Sequence, residues 1–577
     1  MAADAARVSG VAAPRRPLLR WLPALTLALL IGPVVAGLVG TALPAFGYMP
    51  ALGGTSFDLT PWRSLLATPG LAEMVRLSVV SGIATTALSL AVVVLFVAAW
   101  HGTNTFARIQ RLLSPLLAVP HVTVAFGLAF LLTPSGWMMR LVSPWATGYE
   151  RPPDFIVVQD PDGMALIAGL VVKEIPYLFL MTLAAIGQAD VTRVRTLARS
   201  LGYGAVTAWL KAVFPRIYPQ IRLPVYAVLA YGVSVVDVAL VLAPTTPPPL
   251  AVQLVRWFND PDLALRFVAS AGAILQLGLV VAAIAGWWLI ERLAIRVGRW
   301  WIRRGWRGQS DRVIRAGAAV TLTGAFGAAI LGLAGMALWS VTGTWRFPDA
   351  IPSRLSVDSW MRNADSLTLA GWHTVTVGVV AALIAALLAV GCLENEARQS
   401  RRAAGRVLWL LYLPLLVPQV AFLFGAQVLL VVLDADGTWL AIVWAHLVYV
   451  LPYVFLSLAD PWRRWDERYA RSAACLGASP WRVFRAVKLP MLLRPLLVAL
   501  AVGFAISVGQ YLPTVFAGAG RFATLTTDAV SLAASGNRRV IGVHALLQMA
   551  LPFIAFVAAA ALPAWLFRHR RGLHVTA

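Results

Sequence analysis

The chain has 577 residues, of which 59% are apolar and 13% charged, with a mean hydropathy of +0.76 and a formal net charge of +23. That composition excludes a soluble globular fold, because too few polar residues remain to cover an aqueous surface. Two cysteines, Cys392 and Cys475, exclude a disulfide framework, and no His/Cys cluster has the spacing of a metal site.

Twelve apolar stretches are long enough, at roughly 20 residues, to cross a bilayer core of about 30 Å. In chain order they cover 21–43, 73–100, 109–133, 163–188, 219–243, 263–290, 313–341, 367–391, 407–433, 438–459, 491–517 and 540–567. Their runs are continuous and lack the period-two alternation of barrel strands, so the fold expected is all-α and polytopic. Arg15-Arg16 precede the first stretch, which is longer than a signal-peptide core and is followed by no clear small-x-small cleavage site. It reads as a retained first helix.

The charges orient the chain. With both termini inside, and residues at span ends counted with the nearer side, the cytoplasmic segments hold 35 of the 48 Lys and Arg and the outer segments 12. The 25 acidic residues divide the other way, with 9 inside, 14 outside and Glu174 and Asp237 within spans. This is the positive-inside rule, so the basic excess reports topology and not a nucleic-acid site. Arg299-Trp300-Trp301-Ile302-Arg303-Arg304 has the mixed basic and aromatic character of an anchor on anionic lipid.

The chain repeats itself. Pro120-His121-Val122 and Phe126-Gly127 match Pro418-Gln419-Val420 and Phe424-Gly425 at an offset of 298. Pro176-Tyr177 matches Pro452-Tyr453 at 276, and Ser234/Asp237 match Ser507/Gln510 at 273. The fall of 22 between the first two offsets places an insert of that length in the first half, between Trp137 and Asp162, on the outer side. Six helices per half return the chain to its starting side, so the copies are parallel and related by an axis along the membrane normal. The halves expected are 1–290 (membrane core 73–290) and 316–577 (core 367–567), joined by a basic cytoplasmic linker at 291–315.

The most specific repeat lies on the positive side. Leu197-Ala198-Arg199-Ser200-Leu201-Gly202 is followed thirteen residues after its Gly by Pro215, and Ser472-Ala473-Ala474-Cys475-Leu476-Gly477 likewise by Pro490. Trp209 and Phe484 stand seven places after each Gly. Small residues, a Gly turn and a closing Pro predict a short helix, a left-handed turn and a second helix, with Ser479-Pro480 as N-cap and first helical residue. Ala198/Leu201 and Ala473/Leu476, three apart, are expected to share a helix face. These two knuckles resemble the EAA loops of type I ABC importer permeases, and the chain resembles such a permease with both halves fused. The resemblance implies two copies of a cytoplasmic ATPase gripping the knuckles, a periplasmic solute-binding protein and alternating access in a bacterial inner membrane. The acidic residue that names the motif is replaced by Thr196 and Arg471.

None of the three lysines, Lys173, Lys211 and Lys488, follows a Gly, so the chain has no P-loop. It is expected to be no enzyme and to hold no cofactor, with ATP and Mg on the partner ATPase. Within the membrane, Ser234/Asp237 and Ser507/Gln510 are expected to form matched polar strips toward a translocation pathway. A competing reading pairs Asp237 with Lys173 as an intramembrane ion pair, and His121 and His446 read as interhelical hydrogen-bonding groups. An ion-driven secondary transporter is the alternative function; it would need a richer set of buried carboxylates. Gln510-Tyr511-Leu512-Pro513-Thr514 and Gly518-Ala519-Gly520-Arg521 look most like fused permeases assigned to thiamine, and single-chain permeases also serve ferric-iron importers, so a thiamine-like cation or ferric iron is the expected solute.

Overall fold

The computed structural model describes residues 17–308, 311–399 and 405–568; Arg15-Arg16 and the ends of both termini lie outside them. The first half contains α1 (Pro17–Ala45), α2 (Leu71–Trp100), α3 (Asn104–Ala118), α4 (His121–Leu132), α5 (Met164–Gln188), α6 (Val191–Ser200), α7 (Phe214–Ser234), α8 (Asp237–Leu242), α9 (Leu250–Phe258) and α10 (Leu265–Arg303). The second contains α11 (Arg312–Ser340), α12 (Ala364–Gln399), α13 (Gly405–Leu416), α14 (Gln419–Val432), α15 (Trp439–Arg463), α16 (Arg468–Cys475), α17 (Leu493–Val508), α18 (Leu512–Gly518), α19 (Leu525–Leu532) and α20 (Arg538–Leu566). A two-stranded hairpin, β1 (Thr342–Thr344) with β2 (Arg354–Leu355), follows α11.

Among the described residues, nine helices are long and apolar enough to cross a membrane, and bent pairs supply two further spans. That gives up to eleven where twelve were expected: at 219–243 stands α7, which carries Arg216 and Arg222 and is not among them. Four expected spans are not continuous. At 109–133 and 407–433 the helix stops before Pro120 and Pro418, and α13 meets α14 at 92°. Pro offers no N–H and disfavours helical backbone in the residue before it, which favours a break at these two points. At 219–243 the break falls at the β-branched pair Val235-Val236, and at 491–517 between Gly509 and Tyr511.

Buried breaks leave carbonyls to satisfy, and the sequence supplies polar side chains for them. Gln276 Nε2 donates to Val233 O at 3.0 Å, and the Thr526 hydroxyl donates to Val508 O. Gln548 Nε2 donates to Thr526 Oγ1 at 2.6 Å and its Oε1 accepts from Thr123 Oγ1 at 2.8 Å, which ties α20 to α4.

Each half is built on a three-helix core, α2/α5/α7 and α12/α15/α17, but the halves exchange their first helices. Helix α1 packs along α14, and α11 packs along α4 and α2. Glycines permit both crossings. A Cβ on Gly40 would lie 2.9 Å from Gly425 Cα, and one on Gly127 2.9 Å from the Gly332 carbonyl carbon. Repeat-matched Gly127 and Gly425 are thus the close-approach points that small residues provide inside membranes. The insert closes over the hairpin loop: Trp137 Nε1 donates to Ala350 O at 3.0 Å, and Arg140, stacked on Trp345, donates to Arg346 O at 2.7 Å.

Candidate functional site: coupling knuckles and an intramembrane acid–tyrosine cluster

The two knuckles fold alike. Gly202 and Gly477 have φ of +82° and +80°. Gly202 N–H donates to Arg199 O and Tyr203 N–H to Ala198 O; Gly477 N–H donates to Ala474 O and Ala478 N–H to Ala473 O. These are matched Schellman ends, in which a left-handed residue lets two amides reach back to carbonyls of the last turn. Ser479 caps the next helix through Arg482 N–H, with Pro480 in its first turn. Both second helices then widen into a π turn, at Trp209–Val213 and Phe484–Lys488, two residues before Pro215 and Pro490. The closing Pro has no N–H for the carbonyl four residues back, and the wider turn absorbs that gap.

The one-face expectation for Ala198 and Leu201 fails. Ala198 is buried while Leu201, just past the helix end, is 59% exposed; Ala473 is half-buried and Leu476 is 88% exposed. The Leu side chains form the tips and the Ala residues face inward. Trp209 is fully buried against Phe214, and the half-buried Phe484 stacks on Trp481 at 5.7 Å and meets Trp462 at 6.3 Å, so both aromatics pack into the base of their knuckles.

Each knuckle is tied to the near end of its own half's second helix. Arg195 Nη1 donates to His101 O at 2.7 Å and lies 3.2 Å from His101 Nδ1, just beyond α2. Burial and that guanidinium hold the His101 imidazole below its usual pKa. In the second half Lys488 Nζ reaches Glu394 at 2.7 Å, and Arg463 makes a two-pronged pair with Glu396, both carboxylates being on α12. The knuckles differ in one respect. The inter-half linker straps the first: Gly204 N–H donates to Arg307 O at 3.0 Å, Val206 N–H to Asp311 Oδ2 at 3.2 Å, and Lys211 Nζ to Trp306 O at 2.7 Å. Gly477 has open space around it.

Inside the membrane the expected polar strips do not form, because the helices break between Ser and the polar residue. Ser234 closes α7 and bonds its own Ala230 O at 2.8 Å, whereas Asp237 opens α8. Ser507 is buried against His446 Nδ1 at 2.7 Å, and His446 Nε2 lies 2.8 Å from Thr514 Oγ1, so this His clamps α17 to α18 across their break. Gln510 lies within that break, half-buried, its amide on Ile506 O at 3.2 Å.

The Lys173–Asp237 pair does not form either. Lys173 Nζ donates to the carbonyls of Leu116, Leu117 and Val119 at the end of α3. Its charge therefore meets the negative end of a half-helix. Asp237 Oδ1 accepts instead from Tyr231 OH at 3.3 Å, and Tyr231 packs edge-on against His121, whose Nε2 lies 3.3 Å from Glu174 Oε1. Tyr511 lies within electrostatic range of Asp237, and Tyr177 and Tyr453 of each other and of Glu174. Asp237, Tyr231, Tyr177, Tyr453 and Tyr511 all keep partial exposure. Spacing alone missed this cluster, although Tyr177 and Tyr453 are partners in the internal repeat.

Comparison with known proteins gives the family. Residues 378–569 match the family described as "Binding-protein-dependent transport system inner membrane component". Over 547 residues, 94% of this chain and 97% of the relative, the chain is 32% identical to the inner membrane ABC transporter permease protein YnjC of Escherichia coli K12. It is 23% identical over 202 residues (35% of this chain, 76% of the relative) to the spermidine/putrescine transport system permease protein PotC of the same strain. To the putative 2-aminoethylphosphonate transport system permease protein PhnV of Salmonella paratyphi A it is 27% identical over 213 residues, 36% of this chain and 78% of the relative. Proteins of this kind are non-catalytic transport subunits that work with a separate ATPase and a periplasmic binding protein. The chain belongs to the inner-membrane permeases of ABC importers, as a multi-pass polypeptide in which both permease halves are fused.

Proposed function

We infer that this permease moves a small organic cation from periplasm to cytoplasm, and that the acid–tyrosine cluster around Asp237 is where the solute is held between the halves. The observation that carries the reading is a pair of carboxylates, Asp237 and Glu174, set among Tyr231, Tyr511, Tyr177 and Tyr453. Carboxylates neutralise a cation and aromatic faces attract it, most strongly where water is scarce. One relative is named for organic cations, spermidine and putrescine. Thiamine is the member of this class toward which Gln510–Thr514 points.

Each knuckle takes one copy of the ATPase, Leu201 and Leu476 entering its surface, and ATP with Mg is bound there and not on this chain. Both termini are cytoplasmic. Phe258 stacks on Phe424 at 4.4 Å and meets Phe516 edge-on at 5.9 Å, joining α9, α14 and α18 in an aromatic seal on one side of the cluster. Closure of the ATPases would open that seal and close the opposite side. The test is to identify the ligand that co-purifies with the cognate binding protein and to measure its uptake against competitors. Thiamine or an amine is expected, with uptake suppressed by organic cations. An anionic or uncharged ligand would overturn the substrate reading.

A further inference from the structure

Where α10 leaves the membrane, four arginines converge on one cleft. The cleft, about 480 Å³, lies between the start of α7 and the extension of α10 and is lined by Tyr218, Arg222, Trp288, Arg292, Arg296 and Arg299. The acid that faces it, Glu291, is already satisfied: Arg222 Nη2 lies 2.7 Å from Oε2, Tyr218 OH donates to Oε1 at 2.6 Å and Tyr226 OH to Oε2 at 3.2 Å. The Arg292 guanidinium carbon lies over the Trp288 ring, 4.0 Å from its centroid, a contact that leaves guanidinium N–H donors available. Among the described residues no carboxylate comes within ion-pair distance of Arg292, Arg296 or Arg299. The cleft therefore carries three uncompensated positive charges.

The neighbouring face of the same helix is apolar and open. Leu289, Leu293 and Val297 follow one another at one-turn spacing, and all are exposed, with Trp300 continuing the row. A helix of 39 residues is about 58 Å long, roughly twice the bilayer core, so the part beyond Glu291 runs through the headgroup layer. An exposed apolar row is unfavourable in water and clustered arginines repel one another, and an anionic membrane surface relieves both. An acidic protein partner would answer the charge and not the apolar row.

We propose that this cleft is a binding site for an anionic phospholipid of the cytoplasmic leaflet. Arg292, Arg296 and Arg299 hold its phosphate, and Leu289, Leu293 and Val297 take its acyl chains. The helix that carries the site runs directly into the strap on the first knuckle, so the lipid would steady one coupling loop and not the other.

The test is native mass spectrometry of the full chain with its ATPase in detergent, titrated with phosphatidylglycerol or phosphatidylethanolamine. Phosphatidylglycerol should be retained preferentially. The double change Arg296→Ala/Arg299→Ala, which spares the Arg222–Glu291 pair, should weaken its retention roughly tenfold or more at an unchanged melting temperature. The corresponding Lys double variant, which keeps the charge, should retain the lipid. Equal retention of both lipids, or undiminished phosphatidylglycerol in the Ala variant, would overturn the proposal. So would displacement of the lipid by inorganic phosphate alone, which marks a free-anion site, or loss of the ATPase with lipid retention intact, which marks a protein contact.

Discussion

Lys173 and Glu174, adjacent in the sequence, hold opposite sides of one break in the membrane. The Lys173 ammonium sits on the carbonyls of Leu116, Leu117 and Val119 that end α3, and Glu174 meets His121, the residue that opens α4. Each charge thus faces the end of a half-helix whose dipole it complements.

Lys173→Met should therefore destabilise the protein, because buried carbonyls lose their donor, at a cost of about 1–3 kcal/mol. Asp237→Asn strands no cation and should leave the melting temperature nearly unchanged while impairing uptake. Thermal melts of the two variants in detergent distinguish these roles. An equal loss of stability in both would restore the ion pair between Lys173 and Asp237.

The left-handed turns set the cost of altering the knuckles. Any side chain at Gly202 or Gly477 resists φ near +80°, at about 1 kcal/mol or more. At Gly202 a Cβ also comes within 3.3 Å of Arg307, whereas Gly477 is open. Gly202→Val should loosen the linker strap as well as the turn, and Gly477→Val the turn alone. Limited proteolysis at 304–311 should accelerate only in the Gly202 variant.

Acid should loosen the first knuckle. His101 has a folded-state pKa depressed by burial and by Arg195, so the unfolded chain binds its proton more readily. Its contribution is complete above about pH 6.5 and is lost as the pH falls toward the lowered folded-state value. Melting temperature should fall on acidification, and His101→Gln should remove that part of the fall. An unchanged pH profile would contradict the placement of Arg195 on His101.

Topology can be read with thiols. Cys475 is exposed at a knuckle tip and Cys392 is partly covered beside Thr26. In intact cells an impermeant maleimide should miss Cys475 and reach a Cys placed at exposed Asp154 of the insert. The reverse order would invert the chain in the membrane.

Much of this was legible because it rests on local rules. Apolar runs located the helices, and Gly202, Gly477 and Ser479 declared their turns and cap. What escaped lies in breaks and tertiary partners. Hydropathy cannot see that 109–133 is two helices, although Pro120 marks the point. Spacing of i, i+3 placed Ser234 with Asp237 and Ala198 with Leu201 only by assuming that the helix continues, and in each case it ends between them. The exchange of α1 and α11 leaves no mark beyond glycines such as Gly40 and Gly332, whose purpose depends on the helix they meet.

The most direct measurement is ATP hydrolysis stimulated by the loaded binding protein, in proteoliposomes containing this chain and its ATPase. With Leu201→Asp and Leu476→Asp combined, the two exposed tips lose their apolar contact while the inward-packed Trp209 and Phe484 remain. The assembled permease should then insert and melt normally, yet stimulation and uptake should both fall to background, with each single change giving a partial loss. Full stimulation and uptake in the double variant would contradict coupling through the knuckles.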